Sequence, residues 1–241
     1  MLRDRDFIQF RQTYYRLFVK LLWKEPEAAF IAALRDDMPT RAEAAAAVHP
    51  LIGSGWQIID GYLADHQPGE VAQEFSQLFL EPFTKVVRPY ASYYLTGQFF
   101  RAPLMTWRGF LKQLGVEKPS QGFTDPEDVL AFELDVMRWL IDKQAAAPDD
   151  TDRWLRLQAT CLKEHLLVWA PSCAADIEQA PQAAFYRGAA QLLRGFLEVE
   201  RSLFHDWGLD NVATLAEARA HYGAQPDWRG PLFDVADEGV E

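Results

Sequence analysis

TDPEDVLAFELDVMRWL, residues 124–140, combines the signals of a helix start, an acidic rim and an apolar face. Thr124 or Asp125 is a suitable N-cap, and Pro126 suits the first helical position. The next two residues are both acidic and place negative charge at the positive end of the helix dipole. The stretch therefore predicts a capped helix that begins close to residue 125.

The apolar residues that follow predict which side of this helix is buried. They recur at steps of four, three and four, which stacks them along one side of a 3.6-residue helix: Leu130, Leu134, Met137 and Ile141. A stripe of this kind faces a core. A well-capped core helix and a helix that also carries a binding site are both compatible with it.

Helical periodicity of this type recurs along the whole chain. The 241 residues are 49% hydrophobic, enough for a substantial core, and the 14 glycines and 14 prolines fall mostly between periodic segments. Runs with the alternation of a half-buried strand are scarce. We predict an all-α protein: one globular bundle of roughly ten helices over residues 1–225, followed by an acidic, loosely ordered tail at 226–241.

One segment departs from the periodicity. Residues 81–103 are interrupted by three prolines and a glycine yet remain strongly aromatic. This composition predicts a packed loop rather than a flexible linker, and it makes the segment the place where a hinge is expected.

Charge and the termini restrict the classes of function. The net charge of −11 repels phosphate backbones and anionic lipid, so we expect no nucleic acid partner, although the same charge also suits a protein that is merely kept dispersed. The N-terminus is amphipathic rather than a signal peptide, and no run is apolar enough to span a membrane. Cys161 and Cys173 are too few for a disulfide framework. We predict a cytoplasmic protein without stable membrane insertion.

The motifs of catalysis are missing. Neither a phosphate-binding loop nor a nucleophile elbow occurs, and the five histidines form no close pair with metal-ligand spacing. Asp128 and Glu133 lie five residues apart and point in different directions on a helix, which disfavours them as an acid–base pair. We therefore predict no metal, no cofactor and no catalytic residue, and a binding protein rather than an enzyme.

Three blocks of motifs occur in a fixed order. The first is EFSQLF at 74–79 with PYASYY at 89–94, the second is DPED at 125–128 with ELDVM at 133–137, and the third is HLLVW at 165–169 with FY at 185–186. Together they resemble the TorD/DmsD/NarJ family of cytoplasmic chaperones that serve molybdenum enzymes. The resemblance spans about residues 10–205. It departs from the family pattern at Val129, where a histidine is usual, and at Asp125, where glutamate is usual.

The resemblance implies a function. A redox enzyme maturation protein of this kind binds the twin-arginine leader of a precursor of a molybdopterin-containing reductase or dehydrogenase, and it retains that precursor until its cofactor is inserted. An alternative is a NarJ-like chaperone that grips the body of the enzyme, and a remote one is a small hydrolase or nucleotide-dependent enzyme. The family also implies a monomer or a domain-swapped homodimer, with the hinge in residues 81–103.

A receptor for such a leader needs acidic groups beside an aromatic groove. The acidic candidates for leader binding are Glu74, Asp125, Glu127 and Asp128. The aromatic candidates are Phe79, Tyr90, Tyr93, Tyr94, Trp107 and Trp169, and the remaining candidates are Ser92 and His165. Each aromatic has an equal alternative place in the core. For His165, a structural, hydrogen-bonded histidine on an apolar helix face is the commoner outcome, and each carboxylate has an alternative role as a helix-terminus charge.

Overall fold

The computed structural model describes residues 1–36, 38–80, 86–118 and 124–223, and this part of the chain is helical, which confirms the all-α prediction. The helices are α1 Arg5–Leu22, α2 Ala28–Ala33, α3 Met38–Val48, α4 Pro50–Asp65, α5 Glu70–Phe75, α6 Ala91–Thr96, α7 Ala102–Leu114, α8 Leu130–Ala146, α9 Thr151–Cys161, α10 Leu167–Gln179, α11 Phe185–Leu203 and α12 Leu215–His221. A π-helical turn, Ser76–Leu80, extends α5, and another, Leu162–Leu166, joins α9 to α10.

The long helices pack in pairs around one core. Helix α11 lies between α4 and α10, and α1 lies against α8. Helices α4 and α11 approach closely at Gly55 and Gly188, where a Cβ atom added to either glycine would lie 2.7 Å from the other's carbonyl oxygen. Side chains cannot fit at this crossing, so the two glycines permit the α4–α11 contact.

A buried ionic cluster joins α1 to α11. Both nitrogens Nε and Nη2 of Arg11 donate to the Glu200 carboxylate, at 2.6 and 2.8 Å, and the Tyr15 hydroxyl donates to it at 2.9 Å. All three side chains are fully buried. The Arg11 guanidinium also lies 5.0 Å from the centre of the Phe204 ring. The sequence signals did not identify this cluster, because its members are far apart along the chain.

The predicted start of α8 is wrong, whereas its predicted buried face is confirmed. The helix begins at Leu130 and not near residue 125, and no side chain caps it. Residues 124–129 instead run beside residues 89–91: Leu130 donates its amide to the Pro89 carbonyl at 2.8 Å. This pairing keeps the segment out of the helix. The four stripe residues are fully buried: Leu130, Leu134, Met137 and Ile141.

The segment at 81–103, predicted to be a packed loop, contains a helix in its described part. Residues 81–85 lie outside the described part of the chain, and most of the remainder is occupied by α6 and the turn after it. Helix α6 ends at Gly97, whose φ of 76° favours glycine. A hinge here stays a prediction. The predicted tail at 226–241 also lies outside the described residues.

Across the described ranges, no helix combines the length and the hydrophobicity needed to cross a bilayer.

Candidate functional site

The second motif block caps a helix of the first block. Asp128 Oδ2 accepts a hydrogen bond from the Ser92 amide at 2.8 Å, and the Asp128 carbonyl accepts one from the Ala91 amide at 2.9 Å. Both donors belong to the first turn of α6, whose amides have no partner within the helix. Burial raises the pKa of Asp128, although the hydrogen bonds from Ser92 work against that rise. Asp128 and Ser92 are both buried and hold the two blocks together.

Replacing Asp128 with alanine is expected to lower the free energy of unfolding by about 1–2 kcal/mol, because the first turn of α6 loses its cap. Urea denaturation measures the change. Asp128→Asn is the matched control, since its amide oxygen can still accept from Ser92, and it should lose clearly less. Equal losses in the two variants would contradict the capping role.

Three predicted site residues lie together at a cleft, which we call the Tyr90 cleft. It has a volume of about 260 Å³ and lies between the end of α1, the π-helical turn after α5, and parts of residues 89–90 and 125–131. Phe79, Tyr90 and Asp125 line it. The Tyr90 hydroxyl donates to Asp125 Oδ1 at 2.7 Å, and burial together with this bond raises the pKa of Tyr90. The cleft thus combines aromatic walls with a partly exposed carboxylate.

The end of α1 supplies cleft residues that the sequence analysis missed. Trp23, Lys24 and Glu25, which directly follow α1, also line the Tyr90 cleft. Glu25 accepts a hydrogen bond from the hydroxyl of Ser76, which fixes it beside the π-helical turn. A tryptophan that ends an amphipathic helix just before Pro26 was the available signal. With Glu25 the cleft has a second carboxylate, and Trp23 joins the rings of Phe75, Phe79 and Tyr90.

Glu74 lies outside the cleft and holds the start of α11. Its carboxylate accepts three backbone amide bonds, from Ala184 at 2.9 Å, Phe185 at 3.0 Å and Tyr186 at 2.7 Å. Burial raises the pKa of Glu74, and these bonds offset part of that rise. A leader contact with Glu74 stays a prediction, and it would require α11 to release the carboxylate.

Two further predicted residues are packed against each other in the interior. Trp107 of α7 is fully buried, and its ring lies 4.7 Å from that of His165, edge to face. Burial lowers the pKa of His165 to about 4, so its imidazole is neutral at physiological pH. In this arrangement both residues fix α7 to the π-helical turn Leu162–Leu166.

Tyr94 and Trp169 form a second interior group, together with Glu133. The two rings lie 5.5 Å apart, and the Tyr94 hydroxyl donates to Asp176 at 2.8 Å. The Trp169 indole N–H donates to Glu133 Oε2 at 3.1 Å. The other carboxyl oxygen of Glu133 has no hydrogen-bond partner among the described residues, although the side chain is fully buried. Burial, reinforced by the charge of Asp128, raises the pKa of Glu133 well above its usual range.

The raised pKa of Glu133 predicts how the stability of the protein changes with pH. Folding favours the protonated Glu133, so its contribution to stability is present at low pH and is lost as pH rises towards the folded-state pKa. Relative to Glu133→Gln, which keeps an acceptor for Trp169, the parent protein should lose stability from about pH 4.5 upwards, at up to about 1.4 kcal/mol per pH unit. Urea denaturation of both proteins from pH 5 to 8 measures this difference. Parallel stability curves would contradict it.

The remaining candidates are half-buried: Tyr93 on α6, and Glu127 beside Arg108 of α7. The Tyr93 ring stacks on Phe99 at 5.4 Å, and the Arg88 guanidinium lies over both rings. Glu127 accepts two hydrogen bonds from Arg108, at 3.1 and 2.7 Å. Burial acts to raise the pKa of Glu127, but the Arg108 contact outweighs it and lowers the pKa. The structure therefore does not bring Glu127 into the Tyr90 cleft.

A larger groove lies at the other end of α1, and no predicted site residue lines it. This N-terminal groove has a volume of about 660 Å³ and a mainly apolar lining, with Asp6 and Glu198 as its carboxylates. His49 Nε2 lies 3.0 Å from Glu198 at its edge. The N-terminal groove is the structural alternative to the Tyr90 cleft for a bound peptide.

Among the described residues, no group of three or more histidine, cysteine, aspartate or glutamate side chains could hold a metal ion. Cys161 and Cys173 are free and buried. Burial raises the pKa of both thiols, so neither is a ready nucleophile or ligand.

Comparisons with known proteins point to one family. The sequence profile described as nitrate reductase delta subunit matches residues 46–175, just over half of the chain. The chain is 32% identical over 135 residues to the chaperone protein TorD of Vibrio cholerae serotype O1 strain O395, which covers 55% of this chain and 61% of that protein. It is 32% identical over 138 residues to TorD of Aeromonas salmonicida, covering 56% and 61%.

The chain is also similar to a relative whose name specifies a reductase. The perchlorate reductase assembly chaperone protein of Dechloromonas aromatica is 30% identical over 142 residues, covering 55% of this chain and 63% of that protein. The chain thus matches less than two thirds of the length of these curated relatives.

Proposed function

Because the chain belongs to the nitrate reductase delta subunit family, we propose that it is a molecular chaperone for the precursor of a molybdopterin-containing reductase or dehydrogenase. The family predicted from the motif blocks is thereby confirmed. The chaperone holds the precursor until its cofactor is inserted, before export or assembly. Relatives named as a reductase assembly chaperone and as TorD support this function, and none of those cited is named as an enzyme.

The Tyr90 cleft is the proposed site for the arginine pair of a twin-arginine leader. The observation that carries this proposal is the pair of carboxylates, Asp125 and Glu25, beside the rings of Trp23, Phe79 and Tyr90. A guanidinium is recognised by carboxylates and by aromatic faces together. At about 260 Å³ the cleft accepts side chains rather than a whole helix, since complete ligand pockets measure about 300–1,000 Å³.

The matched region supports the Tyr90 cleft over the N-terminal groove. Most of the cleft lining lies within residues 46–175, whereas much of the groove lining comes from α1 and α11, outside that range. The groove nevertheless has the apolar lining that the hydrophobic run of a leader requires. The two sites are therefore tested against each other.

Typical contact energies predict that an aromatic residue of the cleft contributes more to leader affinity than a carboxylate does. An exposed charge contact contributes about 1 kcal/mol or less, whereas a desolvated aromatic anchor contributes about 2 kcal/mol or more. Trp23→Ala should therefore weaken leader binding about 30-fold, and Asp125→Asn by about fivefold or less. The measurement is a fluorescence titration with synthetic twin-arginine leaders of the molybdoenzymes encoded in the same genome.

A matched control separates the two sites. Glu198→Gln removes a carboxylate from the N-terminal groove and should leave leader affinity unchanged. Asp125→Asn keeps an oxygen that can accept from Tyr90, so its effect reports charge rather than folding. Loss of affinity in Glu198→Gln with full binding in Trp23→Ala would reject the Tyr90 cleft.

The family description also supports a second candidate, a chaperone that grips the body of its enzyme. The profile that matches this chain is that of a reductase subunit by name. Deleting the leader of the client separates the candidates: co-purification of chaperone and leaderless client would favour binding of the body. Exchange of elements between protomers through residues 81–103 is a further proposal, and sedimentation of the purified chain tests it.

A further inference from the structure

The chain between Val86 and Val116 has an unusual charge. It contains four basic residues, Arg88, Arg101, Arg108 and Lys112, and no acidic one, in a chain with 35 acidic and 24 basic residues. Three of the four lie on α7 or at its N-cap. On a protein of net charge −11, this region is one where an anionic partner is attracted rather than repelled.

Helix α7 shows this charge on its outer face. Its inner face is buried through Leu104, Trp107, Phe110 and Leu111. On the outer face, Met105 is 63% exposed and lies one turn beyond Arg101. Within the described chain, Arg101 and Lys112 form no ion pair, and Arg108 shares its charge with Glu127. The face therefore has an apolar centre with basic flanks.

Phe100 stands at the start of this face in a strained conformation. Its φ is 57°, the left-handed region, and it is the non-glycine residue with a positive φ among those described. That conformation costs about 1–2 kcal/mol for a side chain with a Cβ atom. The residue is nevertheless 69% exposed, and its ring meets that of Phe99 only in a tilted contact, with 6.5 Å between the ring centres. A ring held outward at such a cost indicates a contact with another molecule.

Gly109 is an exposed glycine within α7 that the packing of this chain does not explain. It lies inside α7 on the exposed side, and a Cβ atom added there would meet nothing within 4 Å. Glycine inside a helix costs about 1 kcal/mol relative to alanine, and packing within this chain does not require it here. It lies one turn beyond Met105, and it leaves the backbone of α7 bare for the close approach of another helix.

We propose that the outer face of α7, from Phe100 to Lys112, is a docking surface for an acidic amphipathic helix of a protein partner. The partner's apolar stripe covers Phe100 and Met105, its backbone approaches α7 at Gly109, and its carboxylates meet Arg101 and Lys112. A lipid surface is disfavoured because it requires a broad apolar face for insertion and gains nothing from a bare helix backbone. This surface is distinct from the Tyr90 cleft and does not depend on leader binding.

The probe is a synthetic helical peptide of about twenty residues, with glutamates flanking a leucine and alanine stripe. Fluorescence anisotropy measures its binding to the full chain. The parent protein is expected to bind it, and both the double variant Arg101→Glu/Lys112→Glu and the single variant Gly109→Leu to bind at least tenfold more weakly. The charge control is Arg156→Glu on α9, and the steric control is Gly61→Leu, a helical glycine that also has open space around it. Both controls should retain full affinity.

Other results would overturn the proposal. These are absence of peptide binding, equal loss of affinity in the control variants, or equal binding of a peptide in which lysines replace the glutamates. Binding to phosphatidylglycerol vesicles without peptide binding would identify a lipid surface instead. Sedimentation that shows a dimer abolished by Gly109→Leu, again without peptide binding, would identify a second copy of this chain as the occupant. Thermal melting by circular dichroism verifies that each variant is folded.

Discussion

Glu200→Ala is expected to lower the free energy of unfolding by about 3–5 kcal/mol. The substitution leaves the Arg11 guanidinium charged and buried, with neither of its two carboxylate bonds. It also removes the acceptor of the buried Tyr15 hydroxyl. An uncompensated charge in the interior is far more costly than the net contribution of the pair that it replaces. Urea denaturation at pH 7 measures the loss.

A double variant shows whether the loss in Glu200→Ala comes from the unpaired Arg11 charge or from lost packing at residue 200. Replacing both partners, as Arg11→Met with Glu200→Leu, removes the charges together and fills the space with apolar atoms. Its stability should lie much closer to that of the parent protein than that of Glu200→Ala. If the double variant were as unstable as the single one, the loss would reflect packing at this position rather than an unpaired charge.

Glu74→Ala is expected to lower the free energy of unfolding by about 3 kcal/mol or more. It leaves three backbone amides at the start of α11 without their acceptor, and each buried unpaired donor costs about 1–3 kcal/mol. The loss should appear as a lower midpoint in urea denaturation. Helix α11 packs on both α4 and α10, so weakening its first turn affects the whole bundle.

Glu74→Gln is the matched control, because its amide oxygen can retain part of the hydrogen bonding. Its stability should fall between those of the parent protein and Glu74→Ala. Where Glu74→Gln is folded, its leader affinity should equal that of the parent protein if Glu74 acts only as a cap. A large loss of leader affinity in a folded Glu74→Gln would instead support the prediction that Glu74 binds the leader.

The sequence predicted those features of the fold that depend on local periodicity. The stripe Leu130, Leu134, Met137 and Ile141 fixed the buried face of α8, because residues at these steps share one side of a helix whatever they pack against. The all-α class followed from the same regularity along the chain. The start of α8 did not follow, since Pro126 is equally suitable for the turn that it begins here, which the Val129 amide closes on the Pro126 carbonyl.

The roles of the motif residues depended on distant partners. Glu74 caps a helix that begins more than a hundred residues later, and Asp128 caps one that lies earlier in the chain. A carboxylate beside an aromatic residue has the same appearance in a sequence whether it faces a ligand or a backbone amide. Trp107 and Trp169 illustrate the same limit, because helical spacing alone does not separate a core ring from a groove ring.

The cleft itself required tertiary structure. Tyr90 and Asp125 are 35 residues apart and meet through one hydrogen bond, and the end of α1 closes the cleft from a third direction. The bridge between Tyr90 and Val129 aligns the two segments. Backbone pairing of two short segments leaves little trace in side-chain periodicity. The sequence therefore predicted Phe79, Tyr90 and Asp125 as site residues but not that Trp23 and Glu25 join them.

Photo-crosslinking tests most directly whether the Tyr90 cleft receives the leader. A synthetic twin-arginine leader with a benzophenone residue next to its arginine pair is irradiated with the full chain, and the crosslinked residues are identified by mass spectrometry. We expect crosslinks to Trp23, to Leu80 and to the segment around Tyr90, with loss of those crosslinks in Trp23→Ala. Crosslinks to Phe7 and Val199 of the N-terminal groove, with none at the cleft, would contradict the account.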